Sequence, residues 1–455
     1  MTSGGLLLAS CGLLEPDPLP PEGQIVLGVA TDAWLPRGAG EAFEPISRTA
    51  LFERMRIELF APGEREPCRE CFRDFGIDHR RLNVGEASIG FVPRPSTSGY
   101  RARVRLYHSG GSESTAEPRA ASTIETVIEL PPVAPEGIVE VHVVLRTDDL
   151  SRPRGTLDTP ARAEPGPPPK GLAGTWHEDV LQTCAAPARP AQACVPGGAF
   201  WMGDPSFAVP YERLVAVSPF YIDAHEVSVG EVRASNLALL DAVALKADPY
   251  LHSADVTKTI HYCTYTQLAG AQEDLPVNCV TRDLARRFCE ASGGALVSEA
   301  QFEFVASARR DAAFPWGDEV ATCADAVYGR SYEQTKPAAW RSCTASGVGV
   351  AKSGTGRLDR VRMPDGTEIV DLAGNVAEWS RDAYQTSDEP CYRENPAIDP
   401  VCLEPSPSNP DGVAVRGGTW TEPGGSLLRA AVKQSASATA PQNPRIGFRC
   451  ARPGR

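Results

Sequence analysis

Asp371-Leu-Ala-Gly-Asn-Val-Ala-Glu-Trp379 is the stretch on which the fold turns, and four further blocks flank it in order. Upstream stand Val195-Pro-Gly-Gly-Ala-Phe-Trp-Met-Gly203 and Phe220-Tyr-Ile-Asp-Ala-His-Glu-Val227. Pro276-Val-Asn, Ala295-Leu-Val-Ser-Glu-Ala-Gln-Phe-Glu-Phe304 and Phe314-Pro-Trp-Gly-Asp318 make up the next. Downstream come Val415-Arg-Gly-Gly-Thr-Trp420 and Arg445-Ile-Gly-Phe-Arg-Cys450. Over residues 194–453 short strands, Gly-rich turns, Trp residues and two helical stretches alternate. Thr281 has the position of an N-cap for a helix with Leu284, Phe288 and Cys289 on one face, and Gly293-Gly294 stops it. Ser298-Glu-Ala-Gln301 reads as a capping box before Phe302, Val305 and Ala306 at core spacing. Propensity alone predicts a mixed α+β domain with much irregular structure.

Residues 24–149 carry a different pattern. Tyr100, Ala102, Val104 and Leu106 alternate with Arg101, Arg103 and Arg105, and Met55, Ile57 and Leu59 alternate with Arg56 and Glu58. Val139, Val141, Val143 and Leu145 alternate less cleanly with Glu140 and His142. Period-2 alternation broken by turn residues predicts half-buried antiparallel strands, here an all-β, immunoglobulin-like sandwich. Residues 150–193 hold Arg-Pro, Thr-Pro, Glu-Pro and Gly-Pro-Pro-Pro runs and read as a stiff linker. Residues 1–23 read as a signal segment and tether.

The net charge of −13 over 455 residues argues against a nucleic-acid partner, because phosphate contacts need clustered Lys and Arg. No stretch of 18 apolar residues is present, so no helix of this sequence spans a bilayer. Of the 13 cysteines, twelve lie in the body of the chain, an even set that suits disulfides in an oxidising compartment. Free buried thiols are the alternative, and Cys68-Arg-Glu-Cys71 also has the spacing of half a zinc site. Cys11 follows Leu7-Leu-Ala-Ser10 and resembles a bacterial lipobox, in which the cysteine is lipidated after cleavage. Ten residues precede it, none basic, so either the leader begins upstream of Met1 or the match is fortuitous. The expected location is the bacterial cell envelope, with the membrane reached only through that lipid anchor.

The five C-terminal blocks, in this order and spacing, resemble the formylglycine-generating enzyme, or sulfatase-modifying factor, family. The resemblance implies a C-type-lectin-related fold with little regular secondary structure. It also implies a shared disulfide between Cys289 and Cys450. The pairs Cys184–Cys194, Cys263–Cys279, Cys323–Cys343 and Cys391–Cys402 are expected from proximity in sequence. The family's enzymes oxidise a sulfatase cysteine to formylglycine with dioxygen and a copper ion held by two thiolates, since soft sulfur selects Cu(I). Carried over without gaps, the two thiol positions fall on Glu422 and Leu427, and no cysteine stands between Thr419 and Ala440. The family's groove tryptophan is replaced by Ala377. An iron-dependent branch uses clustered histidines, and none of His79, His108, His142, His177, His225, His252 and His261 is paired at helical spacing. Copper and iron are therefore not expected.

The resemblance further implies a calcium ion held by the Asp371 and Glu378 carboxylates and the Gly374 and Val376 carbonyls, hard oxygens suited to Ca2+. Asp325 is a candidate for a second such site. Arg416, Arg429 and Arg449 match family arginines, with buried salt bridges as the expected role, and Arg429 the one nearest a pocket. Thr419, Glu422, Arg429 and Ala377 are the candidate pocket residues. Three functions follow as expectations: a catalytically degenerate domain binding an envelope protein, peptide or glycan, a metal-dependent oxidase or hydroxylase using a different site, or a purely structural envelope protein.

Overall fold

The computed structural model describes residues 23–37, 49–68, 71–84, 87–94, 96, 98–109, 117–204, 211–236, 262–266, 268–308, 312–331, 343–439 and 443–455. Cys11, His252 and His261 lie outside these residues.

The N-terminal unit is a two-sheet sandwich. One sheet has the order β4-β1-β7-β9, formed by Ser88–Phe91, Gln24–Thr31, Ile138–Leu145 and Glu164–Pro165. The other has the order β3-β2-β5-β6-β8, formed by Phe72–Gly76, Arg54–Phe60, Arg101–Tyr107, Thr123–Glu129 and Ala161–Arg162. A short helix α1 spans His79–Val84. The alternation decides what faces inward: Met55, Ile57 and Leu59 of β2 and Ala102, Val104 and Leu106 of β5 meet Leu27, Val29, Val141 and Val143 across the core.

Three features differ from the sequence expectation. β1 runs parallel to β7, from Gln24↔Ile138 to Thr31↔Leu145. Side-chain alternation reports faces and is silent about strand direction. The polar face of β2 and β5 is also covered: Arg56, Glu58 and Arg105 are buried in a cross-strand ladder. Glu58 accepts from Arg103 Nε at 2.6 Å and from Arg105 Nη2 at 2.6 Å, and Asp74 takes Arg56 Nε at 2.7 Å. Finally, 150–193 is not a free linker. Its β8 and β9 lie on sheet edges, where proline is tolerated, and Trp176 is buried in the sandwich core.

The C-terminal unit is built from short strands around long loops. Its sheets are β10-β13-β22-β14 (Gln192–Val195, Phe220–Asp223, Cys450–Pro453, Ala295–Leu296), β11-β12-β18 (Gly198–Asp204, Tyr211–Val217, Ala397–Ile398) and β20-β19-β17-β21 (Lys433–Ser437, Gly412–Arg416, Ala377–Ala383, Ile446–Gly447). A hairpin, β15-β16, joins Arg360–Arg362 to Glu368–Val370. Helices α2 (Val229–Ala234), α3 (Arg282–Ala291) and α4 (Glu299–Ala306) pack against them. The caps are as read: Thr281 accepts from Leu284 N, and Ser298 and Gln301 form the reciprocal box.

The six disulfides are Cys68–Cys71, Cys184–Cys194, Cys263–Cys279, Cys289–Cys450, Cys323–Cys343 and Cys391–Cys402. Cys289–Cys450 ties α3 to β22. The two units share one core, since Trp201, Leu214 and Ala216 of β11 and β12 join the sandwich cluster. Trp201 donates to Leu51 O at 2.7 Å and meets Phe52 edge-on.

Candidate functional site

The loop between β19 and β20 carries Glu422 and Leu427, the positions to which the sequence resemblance carries the family's thiols. It turns at Gly417 and Gly418, both at positive φ; a Cβ on Gly418 would lie 2.7 Å from Leu428 Cδ2. Glu422 folds back into this turn. Its amide donates to Thr419 O at 3.1 Å, and Gly329 N donates to its carbonyl at 2.7 Å. Burial pushes the Glu422 carboxyl above its ordinary pKa, despite hydrogen bonds from Gln434 and Thr419. Leu427 sits on a 3-10 turn, Gly425–Leu428, with its side chain 38% exposed. A carboxyl group and an isobutyl group offer no soft donor. Every cysteine among the described residues is in a disulfide, so no thiol pair from elsewhere converges here.

The four expected pocket residues do not form one pocket. Thr419 hydrogen-bonds Thr421 and Glu422 inside the turn. Ala377 is a correction: it pairs with Ile446 on β21 and is buried in the core with Trp379 and Phe448, so it lines no groove. Arg429 lines a cavity, of about 360 Å³, at the junction with the sandwich. Its guanidinium holds Asp204, with Nε 2.8 Å from Oδ2, and lies over the Phe314 ring. Across that cavity His108, from the sandwich, stacks on Trp201 at 4.8 Å and 9°. It bridges Glu53 Oε2 at 3.0 Å and Glu212 Oε1 at 3.4 Å. Burial alone would lower the His108 pKa, but the two carboxylates outweigh it and push it up to about 10.

The Asp371–Trp379 segment is a tight turn whose amides are held by buried carboxylates. Asp359 accepts from Leu372 N and Ala373 N, each at 2.9 Å. Glu226 accepts from Val376 N at 3.1 Å and from Asn375 Nδ2 at 2.9 Å. Gly374 is at φ +147°, and a Cβ there would meet Val327 O at 2.5 Å. Glu378 takes Arg449 Nε at 2.8 Å and Nη2 at 2.7 Å. Asp371 Oδ2 accepts from Gly354 N at 2.6 Å, while its Oδ1 is buried without a hydrogen-bond partner. Four buried carboxylates thus surround one buried guanidinium. Burial and mutual repulsion push Asp359 up to about 7 and Glu226 well above the carboxylate range, and burial pushes Asp371 up to about 6.

The features here that a hard cation could meet are the orphaned Asp371 Oδ1 and the excess of buried acidic groups, whereas Glu378 is already held by Arg449. Among the described residues no group of three or more His, Cys, Asp or Glu side chains converges on a metal position, so an ion here relies on carbonyls such as those of Gly374 and Val376. Sequence reading missed Glu226 and Asp359. Glu226 stood inside a quoted block, but nothing in its neighbours marked it as a turn-holder 150 residues from Val376. Asp325, the candidate for a second such site, has its Oδ1 held by Arg357 Nη2 at 2.7 Å and its Oδ2 by Thr322 Oγ1 at 2.6 Å. Arg416 lies buried between Glu299 and Glu303, the structural role expected of it.

No curated protein matches this chain. Among solved structures, the Treponema denticola variable protein 1 is similar at 17% identity and a TM-score of 0.40, covering 60% of this chain and 98% of that one. CarF is similar at 14% identity and 0.35, covering 58% of this chain and 97% of CarF. The Major Tropism Determinant M1 variant is similar at 14% identity and 0.25, with 51% and 50% covered. Residues 178–453, more than half of the chain, match the profile of the Sulfatase-modifying factor enzyme 1-like (FGE-sulfatase) domain, and the chain belongs to that family.

Proposed function

We propose that this domain has left the oxidase chemistry of its family and serves as a binding module on the cell envelope. One observation carries the reading: the two places where the scaffold would grip copper hold Glu422 and Leu427. Cu(I) is bound tightly by paired soft ligands, and a carboxyl group beside a hydrocarbon supplies none. The pairing of all twelve described cysteines supports the same conclusion, because no thiolate is left among the described residues to substitute. A calcium ion at Asp371, Glu378 and the Gly374 and Val376 carbonyls belongs to this reading as a structural cation that neutralises the buried carboxylates.

Export belongs to it too. Twelve cysteines in six disulfides suit an oxidising compartment, and Cys11 would supply the lipid that holds the protein there. The test of the binding reading is competition for Cu(I) against a chromogenic chelator, with elemental analysis of the purified protein alongside. Calcium without copper is expected, with no withdrawal of Cu(I) from the chelator. Stoichiometric, tight Cu(I) uptake would contradict it. Incorporation of labelled palmitate, lost in Cys11→Ser, checks the anchor.

A further inference from the structure

We propose that a pocket over the β13-β22-β14 face of the family domain binds a small carboxylic acid whose apolar body is about the size of one side chain. The pocket holds about 220 Å³. That is below the roughly 300–1,000 Å³ of sites that enclose a whole drug-sized ligand. All of its lining lies among the described residues. Strand geometry makes its floor, because residues paired across neighbouring strands point to one face. Ile222, Ala451 and Ala295 form such a row, and Phe220, two residues before Ile222, shares its face. Phe220, Ile222 and Ala451 belong to one buried cluster with Ala300 of α4. The side chains of Ala295, Ala300 and Ala451 end at Cβ, and the pocket is the hollow left between them and Phe220.

The charged groups of the lining select the head group. Arg381 of β17 is exposed at the mouth, and its guanidinium meets no acid and no acceptor among the described residues. A second guanidinium, that of Arg452, is taken: its Nε donates to Gln192 Oε1 at 2.9 Å, and it lies over the Tyr221 ring at 3.5 Å. The Asp399 carboxylate is fixed by Ser218, which donates from N at 2.7 Å and from Oγ at 2.6 Å. The lining thus carries two guanidiniums and one carboxylate, a positive balance that favours an anion over an ammonium. The single free fork of N–H donors matches the planar geometry of one carboxylate. A phosphate dianion would bring a second charge that finds no further free cation and is repelled by Asp399. The body must be apolar, because the side chains of Phe220 and the three alanines have no polar atom for a buried hydroxyl.

This deepens the binding reading by naming a ligand class for the same domain. The copper competition does not involve this pocket, so the two fail separately. The full chain is titrated by ligand-observed NMR with isocaproate and hydrocinnamate. The controls are isocaproamide, which is neutral, isoamylamine, a cation, acetate, which lacks the apolar body, and phenyl phosphate, a dianion. Both apolar carboxylates are expected to saturate, and to bind at least about threefold more tightly than each control. Arg381→Gln removes a side chain with no partner in the fold and should leave the urea midpoint unchanged while weakening both at least about threefold, the range of a partly exposed ion pair. Ala295→Phe, which fills the hollow from a half-buried position and removes no charge, should weaken them at least about tenfold. Failure of both carboxylates to saturate would overturn the proposal. So would equal binding of the amide, the amine or the phosphate, or binding that Arg381→Gln leaves unchanged.

Discussion

Arg449 shows what a single residue carries in this domain. Fully buried, it is the one guanidinium set against Glu378, and its Nη2 also donates to the carbonyls of Val370 and Asp371 at 2.9 Å each. Removing it while keeping Glu378 leaves a buried carboxylate without its partner. Arg449→Met should therefore cost about 3–5 kcal/mol in urea unfolding, whereas a surface ion pair such as Arg286–Glu290 should cost under about 1 kcal/mol. His108 gives a second residue-scale expectation. Its folded pKa of about 10 lies above the ordinary 6.5, so its contribution is complete below pH 6.5 and is lost as pH rises through 10. Lys433, buried against Tyr392 and pushed down to about 8, acts in the opposite sense over pH 8 to 10.5. The two separate by subtraction: His108→Gln should remove a loss of melting temperature between pH 7 and 10 that the parent shows. Equal slopes in parent and variant would refute the assignment. At this scale the sequence was partly legible. The Cys289–Cys450 pair could be placed by matching motifs, but whether a motif residue faces a groove depends on strand register, which is why Ala377 lies in the core.

Among the elements, those with local signals were readable. Thr281 and the Ser298–Gln301 box mark α3 and α4 because a cap is made within four residues. The strands of the sandwich were readable for the same reason, since alternation is local. What was not readable is set by distant partners. Nothing in Gln24–Thr31 reveals that it lies parallel to Ile138–Leu145, and nothing in 150–193 distinguishes a spacer from a chain laid along two sheet edges. The disulfide between α3 and β22 closes the longest covalent loop, with a sequence separation of 161. In the chain-entropy view its removal by Cys289→Ser with Cys450→Ser costs about 5 kcal/mol, measurable as a lowered urea midpoint. The Cys68–Cys71 pair, only three positions apart, should matter far less.

As a whole, the molecule is two units with one continuous core. Trp201, Leu214 and Ala216 of the family domain pack with sandwich residues, and Glu212 pairs with Arg119 and His108 across the boundary. A fragment of 178–455 would expose this apolar face, so it should melt well below the intact chain and bind a hydrophobic dye that the intact chain does not. The sandwich thus walls the cavity that holds Arg429 instead of hanging from it as a spacer. The proposed change of function is equally a property of the whole: a scaffold with its caps, its Cys289–Cys450 disulfide and its buried arginines in place would change function through its loops alone.

The central claim is met most directly by incubating the purified full chain with a Cys-x-Pro-x-Arg peptide, copper and dioxygen, and reading the peptide by mass spectrometry. The account predicts that the cysteine survives unconverted while an authentic family oxidase in parallel converts it. Formylglycine produced at a rate that scales with the concentration of this protein would contradict it.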